Sequence, residues 1–123
     1  MKVIFFTVEN VLNFEESDAY APSGKKGIAE ARVKELKKLI TSSGARIVLI
    51  GDWRKDWDFD DAACTKDGIY LNKKLERRGL HLLDKIRDDM TDEEGINDWI
   101  RRHPNVTESC VLTDINNVKW QEW

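Results

Sequence analysis

The stretch KVIFFTVENVLN (residues 2–13) decides the fold. Its opening KVIFF is an almost continuous apolar run, without the in-and-out alternation of a half-exposed strand. Strands covered on both faces of a parallel sheet read this way. The run stops abruptly at Thr7, Val8, Glu9 and Asn10. Groups at such a position stand beyond the carboxyl end of a strand, which is where α/β sheets bind their ligands.

Three more short apolar segments follow, at residues 46–50, 80–86 and 109–112, and helical patterns separate them. In KKGIAEARVKELKKLITSSG, the residues Ala29, Val33, Leu36 and Ile40 share one face. Glu30 and Lys34 pair on the polar side, and Gly44 stands where a helix would end. A second helix is expected over residues 66–78, anchored by Leu71 and Leu75 and stopped by Gly79. The third opens with Thr91 and Glu94 as a capping box, places Ile96, Trp99 and Ile100 together, and ends at Pro104.

Strands alternating with helices predict an α/β domain of three layers: a Rossmann-like parallel sheet with helices on both faces and right-handed crossovers. The first two apolar runs are the most continuous, so the expected strand order is 4-1-2-3 in sequence numbering. Residues 14–27, FEESDAYAPSGKKG, fit no element and read as a flap-like functional loop. The tail, residues 115–123, is expected to act at its end (118–123). There it covers the edge of the fourth strand or joins two chains as a homodimer.

At 123 residues the chain is expected to form one domain spanning 1–123. Hydrophobic residues at 41% and charged residues at 35% exclude a disordered chain. The net charge of −3 argues against a general nucleic-acid-binding surface. No apolar run reaches the roughly 20 residues of a membrane span, and Glu9 interrupts any signal-peptide core. Cys64 and Cys110 have neither disulfide-framework nor zinc-site spacing, so plain thiols and a cytoplasmic location are expected.

The strand-end residues form three groups: Thr7, Glu9 and Asn10; Gly51, Asp52, Trp53 and Arg54; Thr113 and Asp114. Together they resemble the haloacid dehalogenase-like (HAD) superfamily, in particular small domains of bacterial and phage proteins of the type linked to RNA repair. KVIFFTVENVLN is similar to that family's KVIFLDVDGVLN opening, and RIVLIGDWRKD to its IVLSSSWR-like second motif. RGLHLLDKI, EEGINDWIRRHP and SCVLTD follow in the family's order, so the resemblance covers nearly the whole chain.

The resemblance implies phosphoester hydrolysis by an aspartate nucleophile, a second aspartate as acid and base, a hydroxyl and a base that hold phosphate, and a magnesium ion. Position by position, this chain departs from that set. Thr7 stands at the nucleophile, Glu9 at the acid/base and Asn10 at the turn glycine. The hydroxyl position falls on Ile50 or Gly51, and the phosphate-holding base aligns with Asp92. Of the last acidic pair Thr113 replaces one member and Asp114 remains.

A threonine hydroxyl needs a base within hydrogen-bond reach before it can attack, and His81 and His103 read as surface or packing residues. Removing one member of a coupled nucleophile set costs about 10⁶ in turnover. The expectation is therefore a degenerate domain, a pseudoenzyme. Its pocket at Thr7, Glu9, Asn10, Gly51, Asp52, Trp53, Arg54, Thr113 and Asp114 would bind a phosphorylated or nucleotide-like ligand or a protein. Asp114 and Glu9 are the remaining candidates for magnesium. The alternative is a metal-dependent hydrolase with a rearranged site, in which Glu9, Asp52 and Asp114 activate water. Trp53, Trp57, Trp120 and Trp123 suggest contact surfaces, with Trp99 in the core.

Overall fold

The computed structural model describes residues Met1–Trp123. Five strands form one sheet: β1 (Lys2–Phe6), β2 (Arg46–Leu49), β3 (Leu82–Lys85), β4 (Glu108–Leu112) and β5 (Trp120–Glu122). Their order is β3-β2-β1-β4-β5. β1 is parallel to both β2 and β4, with Phe6 level with Leu49 on one side and Leu112 on the other. β3 is parallel to β2, with an irregularity in register between Ile47 and Val48.

Read from the β4 side, the four parallel strands run 4-1-2-3. The sheet as a whole differs from that expectation, because a fifth strand lies outside β4 and runs antiparallel to it. Glu108, Ser109 and Cys110 pair with Glu122, Gln121 and Trp120. The tail thus takes the edge-covering role, since an uncovered β4 would expose a row of unpaired backbone groups.

The helices are α1 (Glu30–Ser43), α2 (Lys66–Glu76) and α3 (Asp92–Arg102). Their ends follow local chemistry. Gly44 adopts a left-handed conformation with φ 71° and donates its N–H to Ile40 O. The Thr65 side chain accepts from Gly68 N at the start of α2. Both halves of the Thr91–Glu94 capping box are formed at α3.

Two cores flank the sheet and make three layers. α1 and α2 bury Val33, Leu36, Leu71 and Leu75 against Ile4, Phe6, Ile47 and Leu49. On the other face α3 presses Trp99 onto Val3, Phe5 and Val48. Burying an indole removes roughly 200 Å² from water, about 5 kcal/mol at 25 cal/mol/Å² before ordering costs. Its polar edge is satisfied as well, since Trp99 Nε1 donates to Asp84 Oδ2 at 2.8 Å. His103 stacks on the same ring with centroids 3.6 Å apart, so this histidine is a packing residue. No helix is long and apolar enough to cross a membrane.

Residues 14–27 are tied down rather than free. A bridge joins Tyr20 to Lys26, and Ala21 N donates to Lys25 O. Ser23 donates through its amide (3.0 Å) and hydroxyl (2.6 Å) to the buried Asp67 of α2. Lys25 Nζ lies 3.0 Å from Asp56, 3.6 Å from Asp67 and 4.3 Å from the centre of the Trp53 ring. The loop is latched onto α2 by charge and hydrogen bonds that its own sequence only half supplies.

Candidate functional site

β1, β2 and β4 deliver Thr7, Ile50 and Thr113 to one end of the sheet. Thr7 N donates to Leu112 O (3.2 Å) and Ile50 N to Phe6 O (2.9 Å), carrying the ladders one residue further. The Thr7 hydroxyl donates to Glu9 O at 2.8 Å. Its single proton is therefore engaged by a carbonyl, which cannot act as a base. The turn after β1 passes through Asn10 at φ 64°, a left-handed conformation that asparagine tolerates better than other side-chain-bearing residues. Asn10 N donates to Asn13 Oδ1, and Arg32 Nη1 donates to Asn10 O at 2.9 Å. These bonds shape the turn where the related pattern uses glycine.

Gly51 follows β2 with φ 80° and ψ −176°, a region open essentially to glycine alone. A Cβ there would stand 3.0 Å from Thr7 Cγ2 and 3.7 Å from Glu9 Oε2. Thr7 and Glu9 thus lie directly against the end of β2. The Gly51 amide donates to Asp92 Oδ1 at 3.0 Å, and Arg54 Nη1 donates to the same oxygen at 3.3 Å. The rest of the Arg54 guanidinium faces backbone: Nη1 to Gly51 O (2.8 Å), Nε to Arg87 O (3.2 Å) and Nη2 to Met90 O (2.6 Å). An amide and a guanidinium that could cradle an anion are already satisfied by a carboxylate of the same chain.

The residues expected to line one pocket are therefore divided. Thr7, Glu9 and Gly51 are half-buried neighbours. Asn10, Asp52, Thr113 and Asp114 are exposed. Trp53 and Arg54 are buried, Trp53 in the α1–α2 core and Arg54 in its cage of carbonyls, so neither presents itself to a ligand. Trp57 is buried too, with Nε1 donating to Asn72 Oδ1. Trp53 and Arg54 were expected in the ligand pocket, and Trp53 and Trp57 at contact surfaces. They turn inward because the segment after β2 folds back as a 3₁₀ turn (Asp52–Lys55) over the core.

Asp114 Oδ1 accepts from Asn116 N at 2.9 Å and so organises the turn after β4. No group of three or more His, Cys, Asp and Glu side chains converges in a metal-holding arrangement, so Glu9 and Asp114 are not joined by a third such ligand. The acidic run after Asp52 is occupied locally. Asp56 accepts from Thr65 and Lys25, Asp58 from Asp60 N, and Asp60 from Ala62 N. At Asp67, burial alone would raise the carboxyl pKa, but two Ser23 hydrogen bonds and the Lys25 charge outweigh it and hold the group below its ordinary value.

An open groove lies elsewhere, between α3 and the β4–β5 edge, with a volume of ≈ 370 Å³. Asp92, Glu93 and Ile96 form one wall, and Val111, Thr113 and Trp123 the other. Thr113 is its one member among the expected pocket residues. Val111 and Trp123 were not singled out together, since the groove they share forms only once β5 returns along β4. The tryptophans at 120 and 123 were the available signal.

Residues 3–123 match the family model described as the HAD domain in Swiss Army Knife RNA repair proteins. The chain belongs to this family. No curated protein and no solved structure matches it. Within this HAD domain, the strand-end positions are held by Thr7, Glu9, Gly51 and Asp114, and the internal carboxylate of Asp92 sits on the Gly51 amide.

Proposed function

We propose that this is a catalytically degenerate HAD domain, located in the cytoplasm, that acts by binding and not by phosphoester hydrolysis. The observation carrying the reading is that both reactive positions are satisfied from within. The Thr7 hydroxyl is donated to Glu9 O, and the Gly51 amide and Arg54 are both donated to Asp92. A threonine hydroxyl needs a base to take its proton before it can attack, and this one donates to a carbonyl oxygen. Because Asp92 holds the anion donors, a protein partner fits this site's surroundings better than a phosphorylated or nucleotide-like ligand.

The test is magnesium-dependent release of phosphate from an aryl phosphate by the purified chain. The natural protein should release none above background. A variant carrying Thr7→Asp, Glu9→Asp, Asn10→Gly and Thr113→Asp should show weak release, with Asp92 left in place because it accepts from the Gly51 amide. Single changes should do almost nothing, since such groups act as a unit. Robust turnover by the natural protein, abolished by Glu9→Gln or Asp114→Asn, would overturn the reading in favour of a rearranged hydrolase.

A further inference from the structure

The sheet face beneath α3 is only partly covered. α3 sets Ile96, Trp99 and Ile100 over β1 and β2, where Val3, Phe5, Val48 and Ile50 are buried. The same face continues across β4, where Val111 is 43% exposed, and just past β5, where Trp123 is 51% exposed. Contiguous exposed apolar surface is a feature of interaction sites. Trp123 is also held in position: its amide donates to Thr107 O (2.8 Å) and its Nε1 to Ser109 Oγ (2.6 Å), leaving the ring as a fixed wall.

The charges in the groove are of one sign. Asp92 and Glu93 line it, and no lysine or arginine does. Asp92 is engaged by Arg54, whereas Glu93 makes no ion pair. A tryptophan face with a free carboxylate in the same groove suits a cation carried on an apolar stem. The volume of ≈ 370 Å³ falls within the range of roughly 300–1,000 Å³ typical of binding pockets. β5 is the last strand of the sheet, so its outer edge is open to a further strand.

We propose that this groove docks an extended segment of a partner protein, which pairs with the free edge of β5 and turns basic and apolar side chains into the groove. An added strand presents alternate side chains to one face, so the recognised groups stand two residues apart. The proposal rests on the binding reading above and names its partner and surface, but it uses none of the residues altered in the turnover test except through the shared neighbour Thr113.

The test is titration of the isotopically labelled full chain with a synthetic peptide alternating threonine with arginine and leucine, followed by amide and indole NMR shifts. Shifts should cluster at β5, Val111 and the Trp123 indole, and the dissociation constant should rise at least tenfold in Glu93→Lys and in Val111→Glu. Both positions are exposed, and thermal melts of the two variants establish that they fold. A peptide with glutamate in place of arginine should not bind. Absence of shifts at millimolar peptide, equal binding of the glutamate peptide, or an unchanged dissociation constant in both variants would overturn the proposal. So would a concentration-dependent dimer that the same variants dissolve, which would assign the groove to a second copy. Turnover by the natural protein would sink the binding reading without touching this titration, and a failed titration would leave an absence of turnover intact.

Discussion

Replacing Arg54 by lysine separates two roles that this residue could have. A cation that merely faced a ligand would tolerate lysine with little effect on stability. The structure instead gives Arg54 three backbone acceptors, Gly51 O, Arg87 O and Met90 O, each reached by a guanidinium nitrogen, plus one carboxylate oxygen on Asp92. Its side chain is 7% exposed, whereas that of Asp92 is 43% exposed, so the ion pair itself is screened and adds little. The carbonyls carry the effect. A lysine offers one nitrogen and cannot span acceptors set out for a planar fork. Two of the three bonds should be lost, each about 1.5–3 kcal/mol when the donor is charged, with partial replacement by water. The expected cost of Arg54→Lys is about 3 kcal/mol, or roughly 10–15 °C in Tm for a domain of this size. Urea unfolding followed by tryptophan fluorescence measures it, and an unchanged m-value shows that the comparison is valid. Amide exchange in residues 87–92 should accelerate before the rest of the sheet opens, because Arg54 holds two carbonyls of that loop to the turn after β2. A variant within about 0.5 kcal/mol of the natural protein, the usual range for surface changes, would refute the clamp.

Gly51→Ala should cost about 1–3 kcal/mol, since its φ of 80° with extended ψ is strained for any other residue and the new Cβ meets Thr7 Cγ2 at 3.0 Å. Adding Thr7→Ser removes that methyl and should recover the contact portion alone, which a double-mutant cycle reads. Asp67 has a lowered pKa in the folded state, so its contribution is complete above the ordinary value of 3.8 and is lost as pH falls through the folded one. Asp67→Asn should therefore destabilise by about 1–2 kcal/mol at pH 7, with the difference shrinking below about pH 4 in urea titrations. Burial pushes the Cys110 thiol pKa up, against a weaker pull from the Lys119 backbone, so Cys110 should resist a thiol reagent at pH 8 until the protein is unfolded.

Much of this molecule is local and was legible residue by residue. The continuous apolar run of β1 demanded cover on both faces. Thr91 with Glu94 announced the start of α3, and Gly44 the end of α1. Such signals need only a few neighbouring residues, because caps and hydrophobic periodicity are satisfied within one or two turns. The strand ends were legible as well, with Thr7 just past β1, Gly51 past β2 and Thr113 past β4. Which partners those residues meet was decided by contacts across the fold. Asp92 meets Gly51 and Arg54 from 41 and 38 residues away, and no property of an aspartate at the start of a helix says which donors will face it. Trp53 and Trp57 turn inward where the segment after β2 folds back onto the core that α2 completes with Leu71 and Leu75. The tail became a strand because β4 had an open edge to offer, and the groove exists because β5 took that edge while α3 stopped short of covering it. A local stretch of chain specifies which elements form. Where a donor finds its acceptor, and which face stays bare, depends on the packing of elements that are distant in sequence.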